Sequence, residues 1–242
     1  MVMPANARVY YVSFSEAVKA SATRAWAGRA QPGGGRFGME AAVSLFRSEP
    51  ARELVDVARR RHLVIHHTDP FDLPSRYSAL YLFTIGHDRG VTWVASGACQ
   101  AGQLLVFEYT HRLGASQRWA RVVWTVVVVE SSTPRPGALL QGVVEPIAVG
   151  SFARYRHLSL EGATELTKLH KAFCESAPTL RCWLDKGLVG FLGQQDPRTT
   201  WELRGRLIAG YRPDPAHAAG VDRLVDAVVR LHDLTEPAGH ER

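Results

Sequence analysis

From His62 to Glu130 the chain is a run of short segments rich in β-branched and aromatic residues, separated by polar or glycine-containing turns. The segments are 62–67, 77–85, 91–96, 103–110 and 118–130, with turns such as His87-Asp-Arg-Gly90 and Leu113-Gly-Ala-Ser116 between them. Several strands at this spacing predict an antiparallel sandwich or barrel. Val122–Val129 is apolar on both alternating faces, which predicts a central strand covered on both sides. Ser131-Ser-Thr-Pro-Arg-Pro-Gly137 is expected to end the block, with one more strand over 138–149.

Helical patterns flank the block. A strand over 8–14 leads to helices over 15–27, 39–47 and 50–61, with Pro50 suited to a helix start. Arg59, Arg60 and Arg61 then sit where cations complement the helix dipole. Leu166, Leu169, His170 and Phe173 recur at helical spacing, as do Val221, Leu224, Val225 and Val228. The expected class is α+β: a double-stranded β-helix of the jelly-roll or cupin type, flanked by N- and C-terminal helices. Its regions are 1–61 (strand and helices), 62–150 (barrel core) and 151–242 (mostly helical).

With 242 residues, 46% hydrophobic and 21% charged, the chain can bury a full core. Its longest apolar run is far short of a membrane span, and the N-terminus lacks a secretory pattern, so the expectation is a cytoplasmic protein with no membrane partner. Cys99, Cys174 and Cys182 have neither zinc-site nor disulfide spacing and read as free thiols; turn chemistry explains the glycines around Cys99. The net charge of +6 permits nucleic acid or an anionic substrate and demands neither.

Within the β block, His67-Thr-Asp69 ends one strand segment and His111 follows another. Side chains at i and i+2 share a side of extended backbone, so His67 and Asp69 suit a common metal ion. Two imidazoles and a carboxylate on one face of iron leave open positions opposite. Arg118, at the start of the next strand, suits a bidentate grip on the carboxylate of an oxo-acid, with Arg121 competing for that role.

The stretch resembles the iron(II)/2-oxoglutarate-dependent dioxygenases, most closely the prolyl hydroxylase branch. The resemblance is carried by His67-Thr-Asp69, Tyr77-Ser-Ala-Leu-Tyr-Leu82, Arg89-Gly-Val-Thr92, Gly102-Gln-Leu-Leu-Val-Phe107, His111 and Arg118-Trp-Ala-Arg-Val-Val-Trp124. It implies an oxygenase that hydroxylates a small-molecule or peptide substrate. Fe(II) would be held by His67, Asp69 and His111, and 2-oxoglutarate would be bound by Arg118 or Arg121 with Tyr81.

Three other readings compete. His157 rivals His111 as third ligand, with Lys168 as its anchor. His66-His-Thr68 with His157-Leu-Ser159 suggests a two-histidine phosphoesterase. A non-enzymatic basic binding module, for nucleic acid or a protein partner, would draw on Trp93, Tyr109, Trp119 and Trp124.

Overall fold

The computed structural model describes residues 49–113, 120–142, 156–158, 170–213 and 218–237. Helix α1 (Glu49–Arg60) carries Pro50 in its first turn and is followed by the edge strand β1 (Val64–His66). A short helix α2 (Leu73–Arg76) and a 3-10 turn (Tyr81–Thr84) lead into three long strands: β2 (His87–Cys99), β3 (Gly102–Leu113) and β4 (Ala120–Gly142). Then come β5 (Arg156–Leu158), β6 (His170–Cys174), α3 (Ala177–Trp183), a π turn (Leu184–Leu188), α4 (Val189–Gly193), β7 (Thr200–Arg212) and α5 (Ala218–Thr235).

The strands form one antiparallel sheet in the order β1-β2-β3-β4-β6-β5, with β7 along the other edge of β4. The class is α+β, dominated by antiparallel sheet. The described strands make a single sheet rather than the two facing sheets of a double-stranded β-helix. β2, β3 and β4 are successive antiparallel neighbours, which local hairpins favour. The sheet also crosses the expected boundary at residue 150, because β6 and β7 both pair with β4.

β4 is the spine. Its first part pairs with β3, its last part with β6, and β7 follows it along the opposite edge. Val126 and Val128 enter one core while Val127 and Val129 enter the other, all four at 0% exposure, as expected of a strand covered on both faces. Full burial of each such side chain is worth roughly 1.5–3 kcal/mol. On the first face, Leu54, Val57 and Ala58 of α1 and Val221, Leu224, Val225, Val228 and Leu231 of α5 meet Leu104, Val106 and Ile208. On the second, Leu73, Tyr77, Leu80, Leu82 and Phe83 cover Leu105, Phe107, Tyr109, Trp124 and Tyr211. The arginines ending α1 tie it to α5: Arg60 and Arg61 both reach the Asp222 carboxylate, and Arg61 also reaches Asp226 at 2.8 Å.

Four expectations are corrected. Residues 77–85 are not a strand. Their polar backbone is satisfied by turns and by Glu202, whose carboxylate accepts from Tyr81 N at 2.8 and 3.0 Å, so their apolar side chains pack as a cover. Residues 170–174 are a strand rather than helix, because the ladder edge of 138–142 needs a partner and tertiary pairing overrides the helical spacing. The Ser131–Gly137 segment does not end the block. β4 runs on through it, with Pro134 and Pro136 where the ladder slips register. Finally, residues 200–212, expected within a mostly helical region, form β7. The helices expected over 50–61 and 221–234 are present as α1 and α5. Those expected over 15–27 and 39–47, and the strand over 8–14, lie outside the described residues.

Candidate functional site

The residues expected to hold iron are not brought together. Among the described residues, no group of three or more His, Cys, Asp or Glu side chains is placed to hold a metal ion. His67, just past edge strand β1, is exposed and packs edge-on against Trp93 with centroids 4.6 Å apart. Trp93 has φ 53° at a register shift in β2, which turns its ring toward His67. Asp69 is consumed locally: its two oxygens accept from Phe71 N at 3.0 Å and Leu73 N at 2.7 Å, fixing the turn into α2.

His111 lies two strands away and 1% exposed. Counting about four residues along β2 and two strand spacings across, it stands on the order of 15 Å from His67. Its ring packs between Tyr109 and Trp124, and Gly86 closes over it: a Cβ on Gly86 would sit 2.6 Å from His111 Cδ2. Burial, with Arg89 and His87 nearby, pushes its imidazole down to about 4, so it stays neutral. Both ring nitrogens, Tyr109 Oη and Trp124 Nε1 have no hydrogen-bond partner among the described residues.

The other expected residues are equally scattered. Tyr81 packs with Leu139 and Phe173 in a separate small core. Arg121 is exposed on β4 opposite Arg112, which itself pairs with Asp88 at 3.1 Å. Arg118 and Lys168 lie outside the described residues. His157 is on β5, the far end of the strand order from β1, so the described strands do not place it beside His66 and His67. Of the aromatics proposed for stacking bases, Tyr109 and Trp124 are core residues, at 0% and 1% exposure, and Trp119 lies outside the described residues. The donor set offered by His67, Asp69 and His111 therefore does not fit an Fe(II) and 2-oxoglutarate centre.

Two buried polar arrangements escaped the sequence reading. Glu202 is wholly buried on β7, and its carboxylate accepts from Tyr81 N and from Tyr211 Oη at 3.3 Å. Desolvation pushes it up to about 8, against the hydrogen bonds and the Arg204 charge that favour ionisation. The second arrangement joins β4 to the end of α5. Ser131 Oγ lies 3.2 Å from His232 Nε2, and His232 Nδ1 lies 3.0 Å from Asp233 Oδ1. These are the separations of a nucleophile, a base and an orienting carboxylate. Yet Ser131 Oγ already accepts from Arg135 Nη1 at 2.9 Å and Thr133 N at 3.2 Å, and Ser131 is 4% exposed. Arg135 also donates to Thr235 Oγ1 and to the carbonyl of His232. The guanidinium thereby caps the C-terminus of α5, and the serine is one of its acceptors.

An open cleft lies next to this knot. It measures about 590 Å³ and is lined by Arg76, Tyr77, Gly102, Gln103, Glu130, Ser131, Ser132, Arg206 and Leu207. Gln103, Glu130 and Leu207 are neighbours in register across β3, β4 and β7. Beyond them the ladder opens: residues 131–134 of β4 face only Arg206 of β7 before Arg135 pairs with Gly205. The bulge takes these residues off the regular strand path. Gly102, at φ 132°, brings the β2–β3 hairpin against Glu130; a Cβ there would lie 2.1 Å from the Glu130 carbonyl. Glu130 accepts from Arg76 Nη2 and Tyr77 Oη, each at 2.7 Å. Burial and that carboxylate push the Tyr77 hydroxyl well above its ordinary range.

No protein-family model matches the sequence, and no curated protein matches it. The crystal structure of the mycobacterial trehalose monomycolate transport factor A (TtfA) is similar, with a TM-score of 0.60 and 14% identity over 80% of this chain and 100% of that one. At that identity the likeness shows the fold alone. No described helix is long and apolar enough to cross a membrane.

Proposed function

We propose that this chain is a non-enzymatic binding module whose ligand enters the cleft between the β4 bulge, β7 and α2. One observation carries the reading. Asp69 is spent on two backbone amides and Ser131 on the Arg135 cap, while the cleft that Ser131 lines stays open. Such a lining binds by hydrogen bonds and charge without bond-making. The iron(II)/2-oxoglutarate oxygenase reading draws no support from the placement of His67, Asp69 and His111.

The fold neighbour adds a direction for screening. That neighbour is a trehalose monomycolate transport factor, and a polyhydroxylated compound such as trehalose is one ligand class to offer this chain. The test is amide NMR on the full chain, titrated separately with trehalose, a small carboxylate, a phosphate and single-stranded RNA. The reading expects at least one of these to shift the amides of Gly102, Gln103, Ser132 and Leu207 saturably, with the compound recovered unchanged. Chemical conversion of a bound compound, or an absence of saturable shifts at the cleft, overturns it.

A further inference from the structure

We infer that the cleft recognises a phosphate-type oxyanion; this rests on its being the ligand site. Charge bookkeeping gives the sign. Glu130 is the one carboxylate among the described residues that line the cleft, and both its oxygens are occupied, by Arg76 and by Tyr77. Arg76 and Glu130 cancel, and the Arg76 guanidinium is further committed over the Tyr77 ring, 5.7 Å from its centroid. Arg206 then leaves the cleft one positive charge in excess. It is exposed and has no hydrogen-bond or ion-pair partner among the described residues.

Geometry points the same way. Arg206 is the single β7 residue facing the four-residue excursion 131–134 of β4, so the bulge opens space in front of its guanidinium. Exposed Ser132 on that excursion and Gln103 on β3 add a hydroxyl and an amide donor to the same cleft. A planar five-donor fork with neighbouring neutral donors suits an oxyanion that accepts on several oxygens. Tyr77 and Leu207 give an apolar floor for whatever carries it. A soluble phosphate compound and a lipid headgroup present the same group, and the experiment separates them.

The full chain is titrated with inorganic phosphate at low salt and followed by amide NMR. It is also co-sedimented with phosphatidylglycerol vesicles and with phosphatidylcholine vesicles. The inference expects saturable phosphate shifts centred on Gln103, Ser132 and Arg206. Arg206→Gln should weaken binding at least tenfold, and Arg181→Gln, outside the cleft, should leave it unchanged. Because Arg206 is exposed, loss of fold is not a competing explanation, and the NMR spectrum of the variant verifies this. Sedimentation with phosphatidylglycerol alone, abolished by Arg206→Gln, assigns the group to a lipid; phosphate binding without sedimentation assigns it to a soluble compound. Absence of saturable phosphate shifts, or shifts unaltered by Arg206→Gln, overturns the inference. If trehalose moves the cleft amides and phosphate does not, the inference fails and the binding-module reading stands; if no ligand class moves them, both fail.

Discussion

Glu202 makes a prediction whose size follows from its surroundings. Its carboxyl is at 0% exposure and is pushed up to about 8 from an ordinary value of 4.5. The native state therefore holds a proton that the unfolded chain releases above 4.5. The stability this group contributes is complete below 4.5 and is lost as pH rises through 8, at about 1.4 kcal/mol per pH unit, or 4–5 kcal/mol in all. His111 acts in the opposite sense. Pushed down to about 4 from 6.5, it takes up a proton more readily when unfolded, so its contribution is present above 6.5 and lost as pH falls through 4. Between 4.5 and 6.5 the two slopes offset each other; above 6.5 only the Glu202 slope remains. Urea denaturation of the full chain at half-unit steps from pH 4.5 to 8.5 should show a plateau, then a decline above 6.5. In Glu202→Gln the amide still accepts from Tyr81 N, and the decline should vanish. That variant should match the parent near pH 4.5 and exceed it by about 3 kcal/mol or more near pH 8. A Glu202→Gln variant less stable than the parent at pH 8 would mean the carboxylate is ionised in the fold, and the argument from burial would be wrong.

Arg135→Ala removes the cap on the α5 C-terminus and its four hydrogen bonds to Ser131, Thr133, His232 and Thr235; a loss of about 3 kcal/mol is expected, with faster hydrogen exchange confined to the last turn of α5. Gly102→Ala should cost more than about 2 kcal/mol, read as a lower urea midpoint, because its Cβ has no room beside the Glu130 carbonyl. Asp69→Ala should cost about 1–2 kcal/mol through loss of two backbone hydrogen bonds, without altering any metal content.

The parts of the fold legible in sequence were those with an unambiguous period. Val221, Leu224, Val225 and Val228 on α5, and the double-sided apolar run of β4, each admit one arrangement. Tyr77–Ile85 reads as apolar whether it pairs or covers, and Glu202, some 120 residues away, decides the matter by accepting from Tyr81 N. His170–Cys174 fits a helical spacing as well as a strand, and the free edge of β4 settles which. The site was harder. His67 and His111 stand in a suggestive order, but order says nothing of which face of which strand each occupies. His111 faces a core of Tyr109 and Trp124, and Asp69 faces its own backbone. The cleft had one visible signal, the Ser131-Ser-Thr-Pro-Arg-Pro-Gly137 segment. Its prolines mark where the ladder opens opposite Arg206, a consequence that needs β7 in place to be seen.

The oxygenase and binding-module readings part most sharply in an anaerobic titration of the pure protein with Fe(II) and 2-oxoglutarate, followed in the visible. With His67 and His111 on the order of 15 Å apart, no metal-to-cosubstrate charge-transfer band should form at any iron concentration. A stoichiometric band that disappears in both His67→Ala and His111→Ala would contradict the account.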